Sequence, residues 1–548
     1  MANRINNVSR PNRDKALEAS YITNGYWRTE TLVDVARKRV AEKPSQALVI
    51  EGEISLSREQ VWTQALHLAG FFRTRGLMPG DVISFQLPNW TESVVIALAA
   101  RMMGLAINPI PPIYREAELS YILKDCGSKL LFAPDTFRRH AYRPMIDSIR
   151  GELPELCDVV YLRGAANGEH DWQAVMAGPA LSSDQLPEID AASIMMVMYT
   201  SGTTGRPKGV LHSHHSYDYK ARQMGEFWGI NETDVIFMPS PVTHIAGALW
   251  SFDICWLQGA ATVLVDEWKP DEAIDCIESN RCTISGGATP FLQQLMAAAE
   301  DKPGCLGSLR TFFCGGTTVS PDLIKQASAT FPNCLFFRAY GSTEMPTAAM
   351  GIRDRRFAMQ GAETDGELVP PVEIKIVDDH GRELSDGEEG EILARGPELF
   401  AGYLHPEDNQ DCFTKDGFFH MGDLGQRVQG NYLVITGRKK DIIIRSGENI
   451  SPKEVEDLLL LHPAVVDVAI VAMPHPVKGE IGCAFVITKP KTTIDLPEIQ
   501  RHLSEAGLAK QKFPEHLEVV EELPRVPSGK IKKDILRIQA REIATGAK

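Results

Sequence analysis

The sequence predicts an α/β fold: a large multi-subdomain N-terminal body of parallel α/β sheets plus a β unit, joined to a small α+β C-terminal domain. Three observations predict it. From about residue 30 to 270, helical periods alternate with short β-branched apolar runs, the pattern of largely parallel sheets covered by helices. From about 365 the texture changes to strict alternation, as in Glu373-Ile374-Lys375-Ile376-Val377-Asp378, between Gly-rich turns that continue to Gly437, which reads as an antiparallel β unit. After Arg438-Lys439-Lys440-Asp441 the pattern resets into a short strand–helix–strand–strand–helix series. The predicted partition is therefore 1–437 and 438–548, where about 150 residues per domain would suggest three or four domains of similar size.

Taken in order, 56–76 reads as a helix by its apolar spacing, followed by the turn Met78-Pro79-Gly80-Asp81 and the strand Val82–Phe85. A helix covers Thr91 to Met103, and Gly104 ends it before the strand Ala106–Pro109. Leu130–Phe132 and Ala261–Val265 read as buried strands. The C-terminal series is the strand Ile442–Arg445, helix Pro452–Leu461, strands Val465–Val471 and Cys483–Ile487, and helix Leu496–Ala506 stopped by Gly507. There is no internal repeat and no low-complexity stretch.

The chain has 548 residues with 57 Lys and Arg against 72 Asp and Glu, a net charge of −15. That excludes nucleic acid or an anionic membrane as the main partner, because either needs a dominant basic face. Ten scattered cysteines without a CxxC pair are neither a zinc pattern nor a disulfide framework, which points to a reducing compartment. The first residues lack the apolar core of a signal peptide, and the last match no lipidation or peroxisomal address. The apolar run from Val94 ends at Arg101, and the one after His244 is broken by Asp253, so neither reaches the roughly 20 residues of a membrane helix. The expectation is a soluble cytoplasmic protein.

The chemistry concentrates in a few motifs. Thr200-Ser201-Gly202-Thr203-Thr204-Gly205, after the apolar strand Ile194–Met198, offers a loop of NH and OH groups for wrapping a polyphosphate, and Lys208 adds a cation. It is not a Walker A loop, because Pro207 precedes the lysine and Gly209 follows it. Gly315-Gly316-Thr317 closes the strand Thr311–Phe313, and its glycines let backbone approach a flat base. Tyr340-Gly341-Ser342-Thr343-Glu344, Met421-Gly422-Asp423-Leu424, Gly437-Arg438 and Pro527-Ser528-Gly529-Lys530-Ile531 follow in order.

This series resembles the adenylate-forming superfamily of acyl-CoA synthetases, peptide-synthetase adenylation domains and beetle luciferases, from about residue 30 to 535. The resemblance implies an acid–CoA ligase using ATP, magnesium and coenzyme A. A carboxylate would attack the α-phosphate to give an acyl-adenylate and pyrophosphate, and the CoA thiol would displace AMP. Activation through a mixed anhydride divides one hard substitution into two easier ones.

By the same resemblance, Lys530 bridges carboxylate and α-phosphate, Thr343 donates to the α-phosphate, Glu344 holds the metal, and His244 gates the acid. Tyr340 and Gly341 belong to the adenine side, Asp423 takes the ribose hydroxyls, and Arg438 reaches ribose or phosphate. Lys440 is the hinge about which a mobile C-terminal domain would turn. Ser446-Gly447 would line the pantetheine tunnel once it has turned. Gly390–Pro397 matches the family but reads as structural. The segment Pro239–Gly247 departs from the family in carrying Val242-Thr243 before His244, and Glu363–Pro371 lacks several of the family's Gly and Pro residues. Phe252-Asp253, a peptide-synthetase-like pair, lies beyond the fitted segment and is set aside. His212, His214 and His215 read as helix-start or surface residues, not a metal cluster.

The small residues Gly286, Gly287, Ala288, Ala246 and Ala248 suggest room for a medium-chain or cyclic apolar acid. The alternatives are an adenylating enzyme that loads a separate carrier protein and a ligand-binding relative without turnover. The sequence leaves the oligomeric state open, a homodimer being one outcome.

Overall fold

The structure is a computed structural model and describes residues 5, 14–164, 171–201, 206–526 and 529–545. Two seven-stranded sheets form the N-terminal body. One runs Leu335–Ala339, Thr311–Gly315, Ile284–Gly287, Val235–Met238, Ala261–Leu264 and Ala47–Glu51, all parallel, and ends in the antiparallel Ile54–Ser57. The other runs Gly402–Tyr403, Pro207–Ser213, Ile194–Ser201, Ala106–Pro109, Val82–Phe85, Ser128–Pro134 and Asp158–Leu162. It is parallel from Ile194–Ser201 onward and antiparallel at its Gly402 edge.

The apolar run at Val94 belongs to the helix Thr91–Met102, buried on nearly every side. A helix that is apolar all round must lie inside a large core or a membrane, and here it is a core helix. Among the described residues no helix is long and apolar enough to cross a membrane. Arg101, at its end, pairs with Asp253 at 2.9 Å, both fully buried, so the carboxylate set aside in the sequence is committed to a core ion pair.

The helix Arg58–Thr74 starts where Ser57 and Gln60 form a capping box. Met103 caps the next helix, and Gly104 follows in the left-handed region that glycine adopts freely.

The alternating segment forms a five-stranded antiparallel sheet ordered Gly366–Glu367, Tyr432–Arg438, Phe419–Val428, Gly390–Arg395, Glu373–Val377. A fourth sheet begins at Ile443 and combines Glu448–Ile450, Ile443–Arg445, Gly479–Thr488 and Val465–His475, with His516–Val519 parallel to Gly479–Thr488. The change of sheet falls within residues 439–442, where Lys439–Asp441 makes one 3₁₀ turn. The two long C-terminal strands outrun the sequence expectation because they pair with each other as far as His475 and Gly479.

One expectation is corrected. No helix follows the phosphate loop directly: the strand Pro207–Ser213 intervenes, and the helix His214–Phe227 begins only then. His212 is therefore on a strand and buried, whereas His214 opens the helix, as the helix-start reading expected, but is buried as well. Burial pushes His212 down to about 4 and His214 to about 3, so both are neutral near pH 7. His215 stacks on Trp27 with ring centroids 4.9 Å apart.

Candidate active site

Gly202, Thr203, Thr204 and Gly205 lie outside the described residues, as does the side chain of Ser201. The loop's two ends are described, and they are tightly held. Ser201 and Pro207 face each other across antiparallel strands, as do Thr200 and Lys208. The helix Glu116–Cys126 grips both ends. Its Tyr121 hydroxyl donates to the Pro207 carbonyl at 3.1 Å, and its Asp125 accepts the Tyr199 hydroxyl at 2.6 Å and His405 Nε2 at 2.7 Å. The ammonium of Lys208 lies 3.5 Å from Asp408 and 5.0 Å from the centre of the Tyr403 ring.

The turn after the strand Leu335–Ala339 is held from outside. His212 Nε2 donates to the Thr343 carbonyl at 2.8 Å, and the Phe400 amide donates to the Glu344 carbonyl at 2.8 Å. The Tyr403 hydroxyl donates to Glu344 Oε1 at 2.8 Å. Only glycine fits at 341, since a Cβ there would sit 2.2 Å from the Thr347 amide nitrogen. The same holds at Gly315, where a Cβ would meet the Ala339 carbonyl oxygen at 2.3 Å. Gly316 adopts φ +79°, and the Thr317 hydroxyl donates to Thr289 at 2.9 Å, tying this turn to the next segment.

Asp423 and Arg438 are cross-strand partners, 3.1 Å apart between Nε and Oδ1. The other oxygen of Asp423 accepts the Tyr340 hydroxyl at 2.6 Å, and Asp423 is only 5% exposed. Burial raises the Tyr340 phenol well above its ordinary value, and the Asp423 charge adds to this. Burial works against the Arg438 charge, but the Asp423 and Asp441 carboxylates outweigh it and leave its pKa raised.

Lys530 reaches this place from the C-terminal sheet's side. A Cβ on Gly529 would contact Pro290 at 3.4 Å and Ala288 at 3.5 Å, so the backbone next to Lys530 lies against the N-terminal body. Burial pushes the Lys530 ammonium down to about 8; Arg438 and Lys440 act in the same direction, while Asp423 and Asp441 oppose it. Burial, and then the Lys530 charge, push half-buried His244 down to about 4. The His244 ring also accepts the Ala246 amide at 3.3 Å, capping the helix it precedes. Lys440 is itself pushed down by burial and then by Arg438. Lys530, His244, Arg438, Asp423 and Lys440 thus share one electrostatic neighbourhood, although 286 positions separate the ends of that set in the chain (530 − 244).

Ser446 and Gly447 do not join it. They form the exposed two-residue turn of the hairpin Ile443–Arg445 to Glu448–Ile450, with φ +53° and +88°. Nothing lies within 4 Å of a Cβ built on Gly447. Gly286 offers no acyl space, because a Cβ there would strike the Phe313 ring at 2.2 Å. Ala248 is buried in the core. Sequence reasoning missed Tyr121, Asp125, His212, Tyr403 and Asp408. No local signal marks them, because each acts through a contact with residues distant in the chain.

Among the described residues no group of three or more His, Cys, Asp or Glu could cage a metal. One half-buried carboxylate, Glu344, joined through Tyr403 to Lys208, suits a magnesium ion carried largely by substrate phosphates.

Comparison with known proteins bears on this geometry. The AMP-binding enzyme family matches residues 36–404, and the AMP-binding enzyme C-terminal domain matches 454–530. The chain is 37% identical over 538 residues to the medium-chain fatty-acid–CoA ligase of Escherichia coli, covering 95% of this chain and 92% of that protein. It is 29% identical to the 2,3-dihydroxybenzoate-AMP ligase of Bacillus subtilis, covering 95% and 96%. The solved structure of ATP-bound MatB from Rhodopseudomonas palustris superposes with a TM-score of 0.83 at 26% identity, covering 93% of this chain and 99% of that one.

Proposed function

The chain belongs to the AMP-binding enzyme family and is an adenylate-forming acid ligase; from that premise we propose that it joins a medium-chain or cyclic apolar carboxylic acid to coenzyme A. The observation that carries the proposal is the seating of Gly529, next to Lys530, against Pro290 and Ala288 of the N-terminal body, which puts the Lys530 charge within electrostatic reach of His244, Arg438 and Asp423. The substrate class draws on the 37% identity to a medium-chain fatty-acid–CoA ligase.

The reaction divides in two. A carboxylate oxygen attacks the α-phosphorus of ATP, the bond to the β-phosphate breaks, and pyrophosphate leaves with its electron pair. The CoA sulfur, its thiol proton released to solvent, then attacks the acyl carbonyl, and the C–O bond breaks with its electron pair going to AMP, which departs carrying the former carboxylate oxygen. Attack of one anion on another needs cations and donors already aimed. In this reading Lys530 neutralises charge between carboxylate and α-phosphate, and Thr343 donates to that phosphate. The Thr200–Gly205 loop and Lys208 hold the outer phosphates. A magnesium ion at Glu344 would supply Lewis-acid charge to the same phosphates. Tyr340, Gly341 and Gly315-Gly316-Thr317 flank the base, and Asp423 with Arg438 takes the ribose. Neutral His244 borders the acid.

Gly447 sits at an exposed turn with nothing within 4 Å of a Cβ built on it, whereas Gly529, next to Lys530, lies against the N-terminal body. We place the division at Arg438–Lys440 and assign the second half-reaction to a rotated C-terminal domain that brings Ser446-Gly447 to the pantetheine arm. The test is a panel of aliphatic, alicyclic, aromatic and steroid-side-chain acids scored by AMP formation with and without CoA. CoA-dependent turnover of medium-chain acids is expected. Turnover of aryl acids that stops at the adenylate would favour the carrier-loading alternative.

A further inference from the structure

Tyr403 occupies a place no motif assigns to it. It belongs to the two-residue edge strand Gly402–Tyr403, which pairs with Val210 and Leu211, just beyond the phosphate loop. Its ring is 6% exposed and meets Phe400 edge-on at 4.9 Å. Its backbone is clamped on both sides by one amide: the Tyr403 N–H donates to Asn409 Oδ1 at 2.8 Å, and Asn409 Nδ2 donates to the Tyr403 carbonyl at 3.0 Å. A ring held this firmly has two functional contacts. Its hydroxyl donates to Glu344 Oε1 at 2.8 Å, and its face lies 5.0 Å from the Lys208 ammonium.

We propose that Tyr403 is the positioning residue that fixes Glu344 and Lys208 relative to each other. The edge of the ring aims the carboxylate by a charge-assisted hydrogen bond, and its π face seats the ammonium within cation–π range. The metal-binding anion and the phosphate-binding cation are then set by one rigid side chain, with Asp408 closing the far side of Lys208 at 3.5 Å. The inference rests on the proposed roles of Glu344 and Lys208.

The two contacts can be separated by substitution. Tyr403→Phe keeps the ring and removes the hydroxyl, whereas Tyr403→Leu removes both. Manganese bound in the presence of ATP is measured by electron paramagnetic resonance, and ATP alone, in chelator, by calorimetry. Tyr403→Phe should weaken manganese binding about tenfold, the size of one lost hydrogen bond to a charged group, and leave metal-free ATP binding unchanged. Tyr403→Leu should weaken both. If the Leu variant fails to fold, Lys208→Met takes its place for the ATP arm and should weaken metal-free ATP binding. Wild-type manganese affinity in Tyr403→Phe, or equal loss of both affinities there, would overturn the proposal. Glu344→Gln separates the two levels of the argument. If it too keeps wild-type manganese affinity, the role given to Glu344 fails; if it loses affinity while Tyr403→Phe does not, only the role of Tyr403 fails.

Discussion

Lys530 carries an ammonium that burial and two neighbouring cations push down to about 8. Below that pH it is a cation suited to the charge between carboxylate and phosphate; above it the lone pair is free and that stabilisation is lost. The kcat/KM of the adenylation half-reaction should therefore fall as pH rises through about 8, since kcat/KM reports the free enzyme. Lys530→Arg, whose guanidinium stays charged, should remove that limb from the profile. Lys530→Ala should abolish adenylation yet leave thioester formation from a synthetic acyl-adenylate largely intact; equal loss of both steps would contradict the role. Lys530, Thr343, Glu344 and Asp423 could be named as candidates from the sequence because each sits in a short motif of fixed spacing. Tyr121, Asp125, His212 and Tyr403 were not, because their contacts cross the fold. Asp125 meets Tyr199 from 74 positions away, and His212 meets Thr343 from 131. Nothing local marks such a tyrosine or histidine as different from a packed one.

The elements hold the site by pairing and by close approach. The helix Glu116–Cys126 holds Tyr199 and Pro207, on either side of the Thr200–Gly205 segment, through Asp125 and Tyr121. Asp125→Asn should therefore raise the KM for ATP several-fold while sparing that for the acid, a split that general destabilisation would not produce. The turn at Gly341 admits no side chain, and Gly341→Ala should cost about 1–3 kcal/mol of stability, read as a lower midpoint in denaturant. The strands Val82–Phe85 and Ala106–Pro109 matched the sequence pattern to the residue, because turn residues bound each of them; their two buried polar residues, Ser84 and Asn108, satisfy each other across the pair at 2.9 Å. Pro207–Ser213 did not announce itself. It starts with Pro and Lys and has only two adjacent apolar residues, and it is a strand because Ile194–Ser201 and Gly402–Tyr403 pair with its two sides.

For the whole molecule, a net charge of −15 excluded a polyanion-coated surface, yet the substrates inferred are polyanions. The two agree because the cations are gathered locally: Arg438, Lys440 and Lys530 share one neighbourhood, and Lys208 lies at the phosphate loop. The α/β body and the smaller C-terminal sheet were legible from changes in periodicity. The orientation that brings Lys530 to His244 was not, since it depends on contacts such as Gly529 against Pro290 that no local pattern encodes. A bulky residue at Gly447 should spare adenylation and suppress thioester output, the converse of Lys530→Ala. The central claim is that the acid's own oxygen passes to AMP and that CoA takes the acyl group. Octanoate labelled with ¹⁸O in its carboxylate, turned over with ATP and CoA, tests it most directly. Mass spectrometry should find one labelled oxygen in each AMP, with octanoyl-CoA formed in equal amount. Unlabelled AMP, or labelled AMP without octanoyl-CoA, would contradict the account.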